Sequence, residues 1–170
     1  MKKIFIIAFL IFAVFSGNVL AQNQRKSRKI SEMIADSQST SGLLAGLLGG
    51  GLENSDNAEL TILSAITYPN TVKAKYLNET QKLSKSRKKA VDKWLKEYNK
   101  TPDARKFYVN EIAVEEDGIR YWIMAHETAV ISKLKSSAKK DDEITLNLRI
   151  LGYYKKGKTI DYFLLAESVD

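Results

Sequence analysis

Ile144-Thr145-Leu146-Asn147-Leu148-Arg149-Ile150 sets a large aliphatic at every second position with a polar residue between each pair. Side chains of a strand alternate between its two faces, so this spacing predicts a strand with one face in a core. Upstream, Val114-Glu115-Glu116-Asp117-Gly118-Ile119 holds an Asp-Gly pair. Both residues accept positive φ, as a two-residue type I′ hairpin turn requires. That turn fixes a register in which Glu115 faces Arg120, Val114 faces Tyr121, Ala113 faces Trp122 and Ile112 faces Ile123. Charges then match across the pair. Ile112, Val114, Tyr121, Ile123 and Ala125 share the core face. Ala113, Trp122, Met124 and His126 share the other with Glu111, Glu115 and Arg120, a mixed face suited to a covering helix or the rim of a site.

Two further signals complete this C-terminal region. Lys155-Lys156-Gly157-Lys158 predicts a second hairpin, after which Ile160, Tyr162, Phe163, Leu164 and Leu165 form the closing strand. Between the hairpins, Ala129, Val130, Ile131 and Leu134 within Thr128–Lys139 fit a helix of one or two turns, followed by the charged turn Lys139-Lys140-Asp141-Asp142.

A longer helix is expected over 78–98. Asn78 offers a cap with Gln81 three positions on, and Asn99 and Pro102 stop the pattern. At helical spacing Leu83, Ala90, Val91, Trp94, Leu95 and Tyr98 fall on one side, with Trp94 as the anchor. Lys82, Lys85, Lys89, Lys93, Lys96 and Lys100 fall on the opposite side. Arg87 lands on the apolar side, where it needs a carboxylate partner or an escape to the rim. Before this helix, Leu60 to Tyr68 is rich in β-branched residues and ends at Pro69, and a first strand is expected there or over Val72 to Leu77.

The start of the chain has a different character. Met1-Lys2-Lys3, an apolar run from Ile4 to Phe15, and Val19-Leu20-Ala21 ahead of polar Gln22 carry the three regions of a secretory signal peptide, residues 1–21. The chain has no cysteine, which excludes a disulfide framework, a lipid-anchoring cysteine and thiol catalysis. Residues 22–55 are read as a flexible linker, because the Ser/Gln/Thr-rich part buries little apolar surface. Its end, the leucine-glycine run 43–52, suits an arm that docks its leucines or touches a membrane surface. A single domain is then expected over 56–170.

Expected chemistry follows from what is present. The net charge of +7 is concentrated between Lys73 and Lys106, where twelve basic residues meet four acidic ones. Such a stripe attracts anionic polymers by charge, but no aromatics interleave with it as a single-strand nucleic-acid platform would need. His126 is the only histidine and has Glu127 beside it, so a general base is conceivable there, with no nucleophile in view. No metal or cofactor motif is found: Asp141-Asp142-Glu143 lacks the spacing of a calcium loop, and no lysine follows Gly49-Gly50-Gly51 as in a phosphate loop. Tyr121, Trp122, Tyr153, Tyr154 and Tyr162 can line a groove on the sheet.

The expected fold class is α+β: a small antiparallel five-stranded barrel or sheet, one long amphipathic helix, and a short helix between the third and fourth strands. Over Lys106 to Glu167 this order resembles the later part of an OB-fold barrel, in architecture alone. A cystatin-like sheet over one helix is the alternative that the long helix suggests. The expected function is an exported, non-catalytic binding or structural module of the bacterial envelope, periplasmic or secreted. An envelope protein, a glycan or an anionic polymer are the candidate partners, and Lys82, Lys85, Lys89, Lys93, Lys96, Tyr121, Trp122 and His126 the candidate contacts. A small envelope enzyme using His126, or a polymer binder using the basic helix, are the alternatives.

Overall fold

The computed structural model describes residues 27–47, 59–63, 69–97, 102–157 and 159–170. The signal-peptide reading, Tyr98 and the arm beyond Leu47 lie outside them. In chain order the elements are α1 (Ile30–Leu47), β1 (Glu59–Ile62), β2 (Asn70–Lys82), α2 (Lys85–Glu97), a 3-10 turn (Pro102–Phe107), β3 (Asn110–Glu116), β4 (Ile119–Ala125), a π turn (Glu127–Ser132) running into α3 (Lys133–Ser137), β5 (Glu143–Lys156) and β6 (Thr159–Val169).

The protein is α+β, with one six-stranded mixed sheet of order β1-β5-β2-β3-β4-β6. The five-stranded antiparallel expectation is corrected in two respects. β1 and β2 are separate strands that share one edge of β5, β2 pairing with Glu143–Leu148 and β1 with Gly152–Lys155. β6 also pairs with β5, and it meets β4 in parallel at Met124↔Leu165 and Ala125↔Ala166. Pairing therefore runs in a closed circuit through β5, β2, β3, β4 and β6. Gly152 makes the β1 contact feasible, since a Cβ there would lie 2.1 Å from the Thr61 carbonyl oxygen.

β5 carries the alternation read from its sequence, with Ile144, Leu146, Leu148 and Ile150 buried and the residues between them half-buried. The β3–β4 register is the expected one throughout, and Asp117 and Gly118 have φ of 51° and 77°. The charges facing each other there do not pair: Arg120 bonds Glu79 on β2, and Glu115 lies 3.7 Å from Lys75. An inner core of Val72, Tyr76, Ile112, Ile123, Leu146 and Leu148 is completed by Val130, Ile131 and Leu134 from the π turn and α3. A second, outer core sets Ala90, Val91, Trp94 and Leu95 of α2 against Met124, Leu151, Phe163 and Leu165.

Two segments differ from expectation for reasons that sequence spacing does not carry. The long helix begins at Lys85 and not at Asn78, because β2 continues to Lys82. Asn78 takes φ 54° inside a bulge between Tyr76 and Thr80, a left-handed position that asparagine tolerates. Ser84 is the cap instead, accepting from the Arg87 N–H at 3.3 Å. Lys82 thus belongs to a strand end and not to the helical stripe.

The stretch read as linker is helical over Ile30–Leu47, and Ile30 and Met33 are buried in the inner core. Its N-terminus is held from far along the chain. The buried Glu116 carboxylate accepts from the Ile30 N–H at 2.9 Å and the Ser31 N–H at 3.3 Å. Negative charge at the positive end of the helix supports it. Just before it, the Arg28 N–H donates to the Thr71 carbonyl at 2.9 Å. Among the described residues there are three α-helices, not one long and one short.

Candidate functional site

β4 and β6 run side by side but pair only at their C-terminal ends. Toward their starts they part, and a cleft of about 410 Å³ opens between them. Its walls are Arg120, Tyr121 and Trp122 on β4 and Ile160, Asp161, Tyr162 and Leu164 on β6, with Ile34 and Gln38 of α1 on one side and Arg87 of α2 on the other. Ile119 and Ile160 are the exposed large hydrophobics among the described residues, and both belong to this splayed end.

Arg87 is the fixed point of the cleft. One guanidinium nitrogen donates to the Glu111 carboxylate at 2.7 Å and to the Trp122 carbonyl at 2.8 Å. A second lies 3.6 Å from Asp161, and the group stands 5.8 Å from the centre of the Phe163 ring. Glu111 is buried and also accepts from Gln81 at 2.6 Å. The partner that helical spacing demanded for Arg87 is therefore Glu111, from the mixed face of β3. This head joins β3, β4 and β6 where direct pairing of β4 with β6 has ceased.

Aromatic groups and charge fill the remaining walls. Arg120 stacks over Trp122 at 4.8 Å while it bonds Glu79. Tyr162 contacts Tyr153, ring centres 5.9 Å apart. The Tyr121 phenol is held above its ordinary pKa by burial and by the carboxylates of Glu116 and Asp117, so at neutral pH it stays a hydrogen-bond donor.

The sequence candidates divide into three places. Tyr121 and Trp122 line the cleft, with Tyr162. Lys85, Lys89, Lys93 and Lys96 are exposed on the outer side of α2, and Lys82 is exposed at the end of β2; none of them lines the cleft. Lys93 lies 3.8 Å from Glu97 and donates to the Leu60 carbonyl at 3.3 Å.

His126 is elsewhere again. Its Nδ1 accepts from the Ala129 N–H at 3.2 Å and meets the Thr128 hydroxyl at 3.2 Å, which makes it the cap of the π turn. Its ring stacks on Phe107 at 4.9 Å and meets Tyr108 edge-on at 5.2 Å. Burial lowers its pKa, with Glu127 acting the other way. Glu127 accepts from Asn110 at 2.7 Å. The pair is thus occupied in shaping the β4–π-turn junction.

Ile160, Asp161, Ile34 and Gln38 were not singled out by sequence reasoning as cleft residues. The unusual exposure of Ile160 on a strand whose later residues are buried is the one signal, and it appears only once the strands are seen to part. Among the described residues, no group of three or more His, Asp or Glu side chains is placed to hold a metal ion, and no helix is long and apolar enough to cross a membrane. The chain matches no family model, no curated protein and no solved structure.

Proposed function

We propose that the protein is a non-catalytic binding module of the bacterial envelope, exported by the leader read at residues 1–21, with the β4–β6 cleft as its ligand site. The observation that carries this reading is the cleft itself. It is a concave site whose polar centre, Arg87 with Glu111 and Trp122, is already fixed by bonds of 2.7 and 2.8 Å. Three aromatic side chains stand beside it. Such pre-set polar groups among aromatic walls are what ligand sites share. The circuit of pairings, with the π turn and α3 between β4 and β5, supports an OB-like architecture, whose sheet faces serve as binding surfaces in unrelated proteins.

Catalysis by His126 is the weaker reading, since Nδ1 is committed to the cap and the ring does not line the cleft. A charge-driven reading has one observation in its favour: Lys85, Lys88, Lys89 and Lys96 are exposed together on α2. The two are separated by retaining envelope extract on the chain from Gln22 onward in low and in moderate salt. A ligand held in both conditions, and lost with Trp122→Ala while circular dichroism stays native, supports the cleft. Retention only in low salt, lost with the double substitution Lys85→Glu and Lys89→Glu, assigns binding to the lysines and overturns it.

A further inference from the structure

We infer that the cleft takes an extended peptide, which enters as an added strand between β4 and β6 with apolar side chains toward α1 and a lysine or arginine toward Asp161. This rests on the cleft being the binding site.

The main-chain geometry comes from the two hairpins. Glu116↔Ile119 and Lys156↔Thr159 each flank a two-residue turn and are therefore the hydrogen-bonded pairs that close it. Alternation from those pairs turns the N–H and C=O of Arg120 and Trp122 away from β3, and those of Ile160 and Tyr162 away from β5. Two observed bonds agree with this count. The outward carbonyl of Trp122 receives Arg87, and the outward carbonyl of Ala166 accepts from the His126 N–H at 3.3 Å. Apart from the Trp122 carbonyl, which Arg87 holds, both walls of the cleft thus turn main-chain donors and acceptors outward at every second residue, beyond the last β4–β6 pair among the described residues. A strand has the matching repeat, and a strand edge left open is a template for another strand. A sugar or an acyl chain has no such repeat.

Side chains on the walls then set the kind of peptide. Tyr121, Ile160 and Tyr162 lie on the core-facing side of their strands and line the cleft with Ile34; Ile119, two residues before Tyr121, shares its side of β4, and the two isoleucines are 53 and 42 % exposed. Apolar side chains of the occupant would cover them. On the other side, Arg87 and Arg120 meet three carboxylates: Glu111, Asp161 and Glu79. Asp161 is the most weakly held of the three, since it shares Arg87 with Glu111. Its side chain is 51 % exposed and stands 3.6 Å from a guanidinium that already holds Glu111 at 2.7 Å. This charge balance favours a cation on the occupant, next in sequence to an apolar residue, so the preferred segment alternates apolar with basic.

The test uses a phage-displayed library of random heptapeptides panned on the chain, with a glycan array probed in parallel. Ile160→Pro is the discriminating variant, because it deletes one outward N–H and leaves the β5 ladder intact; Ile160→Val retains that N–H as control. Enriched peptides should alternate apolar with Lys or Arg. They should lose about tenfold in affinity when N-methylated on the alternate residues that face a wall, and about tenfold on Ile160→Pro but not on Ile160→Val. Asp161→Asn should weaken the basic peptides and not their norleucine analogues. Peptides that bind equally well when N-methylated on either alternate set overturn the inference. Glycan binding that needs Trp122, without a cleft-dependent peptide, overturns it as well but leaves the binding-module reading standing. Absence of any cleft-dependent binder of either kind overturns both.

Discussion

The two ends of the β4–β6 seam use the same pair of strands to opposite effect. At the C-terminal end Met124, Ala125, Leu165 and Ala166 are wholly buried and their backbones pair. The outer core under α2 covers one side of them and the inner core the other. At the other end no covering pair exists: Ile119 and Ile160 are exposed, and an arginine head stands where backbone bonds would continue. The difference teaches that a sheet circuit can be closed firmly at one end and left open at the other, provided a polar group joins the parted strands. Apolar burial is then concentrated at the closed end, and a binding site can occupy the open one.

The sharpest way to break that comparison is to remove the joining group. Arg87→Ala leaves Glu111, a side chain only 4 % exposed, with Gln81 as its remaining partner. Losing one member of a buried pair in this way should cost about 3 to 5 kcal/mol in a urea titration. Replacing both members, Arg87→Met with Glu111→Leu, should recover most of the loss, since no orphan charge remains. If the double variant is as unstable as the single, the contribution of Arg87 lies in the Trp122 carbonyl and Phe163 contacts and not in the ion pair.

A second pair of substitutions compares the ends directly. Leu165 is fully buried at the closed end, and Leu165→Ala should cost about 2 to 5 kcal/mol. Ile160→Ala at the open end should cost well under that, about 0.5 kcal/mol, because its side chain is already 42 % exposed. Equal losses would show the open end to be part of the core and would remove its claim to be a site.

How much of this was legible in the sequence depends on the distance over which each contact acts. The β3–β4 register and the β5 alternation are local, set by Asp117-Gly118 and by period two, and both were readable. Trp94, read as the anchor of its helix, and Ile112, Ile123, Leu146, Leu148 and Ile150, read as core-facing strand positions, are buried. The need of Arg87 for a carboxylate was readable too, because it follows from one helical face. α1 was not, since its cap is Glu116, 86 positions away from Ile30. Asn78 misled because asparagine's side-chain oxygen suits a helix start, while its tolerance of left-handed backbone suits the bulge that it occupies. The cleft was half legible. Tyr121, Trp122 and Tyr162 stood out as aromatics, but the parting of β4 from β6 is a property of the whole circuit and leaves no periodic trace.

The smallest expected effect concerns the residue that continues the closed end of the seam. The His126 N–H extends the β4–β6 pairing by bonding Ala166, while Nδ1 caps the π turn through the Ala129 N–H. That cap requires the neutral ring, and burial holds the folded-state pKa below the ordinary value of about 6.5. The unfolded chain therefore binds the proton more readily, so the stability from this group is complete above about pH 6.5 and falls as pH drops through the folded pKa, then levels off. Thermal midpoints between about pH 7.5 and 5 should fall further for the native chain than for His126→Asn, whose side chain can accept the same N–H without titrating. The ring is partly exposed, so the expected difference is small. Equal falls in the two proteins would show that the cap does not depend on the neutral ring. A larger fall in the native chain would tie the closed end of the seam to the neutral imidazole.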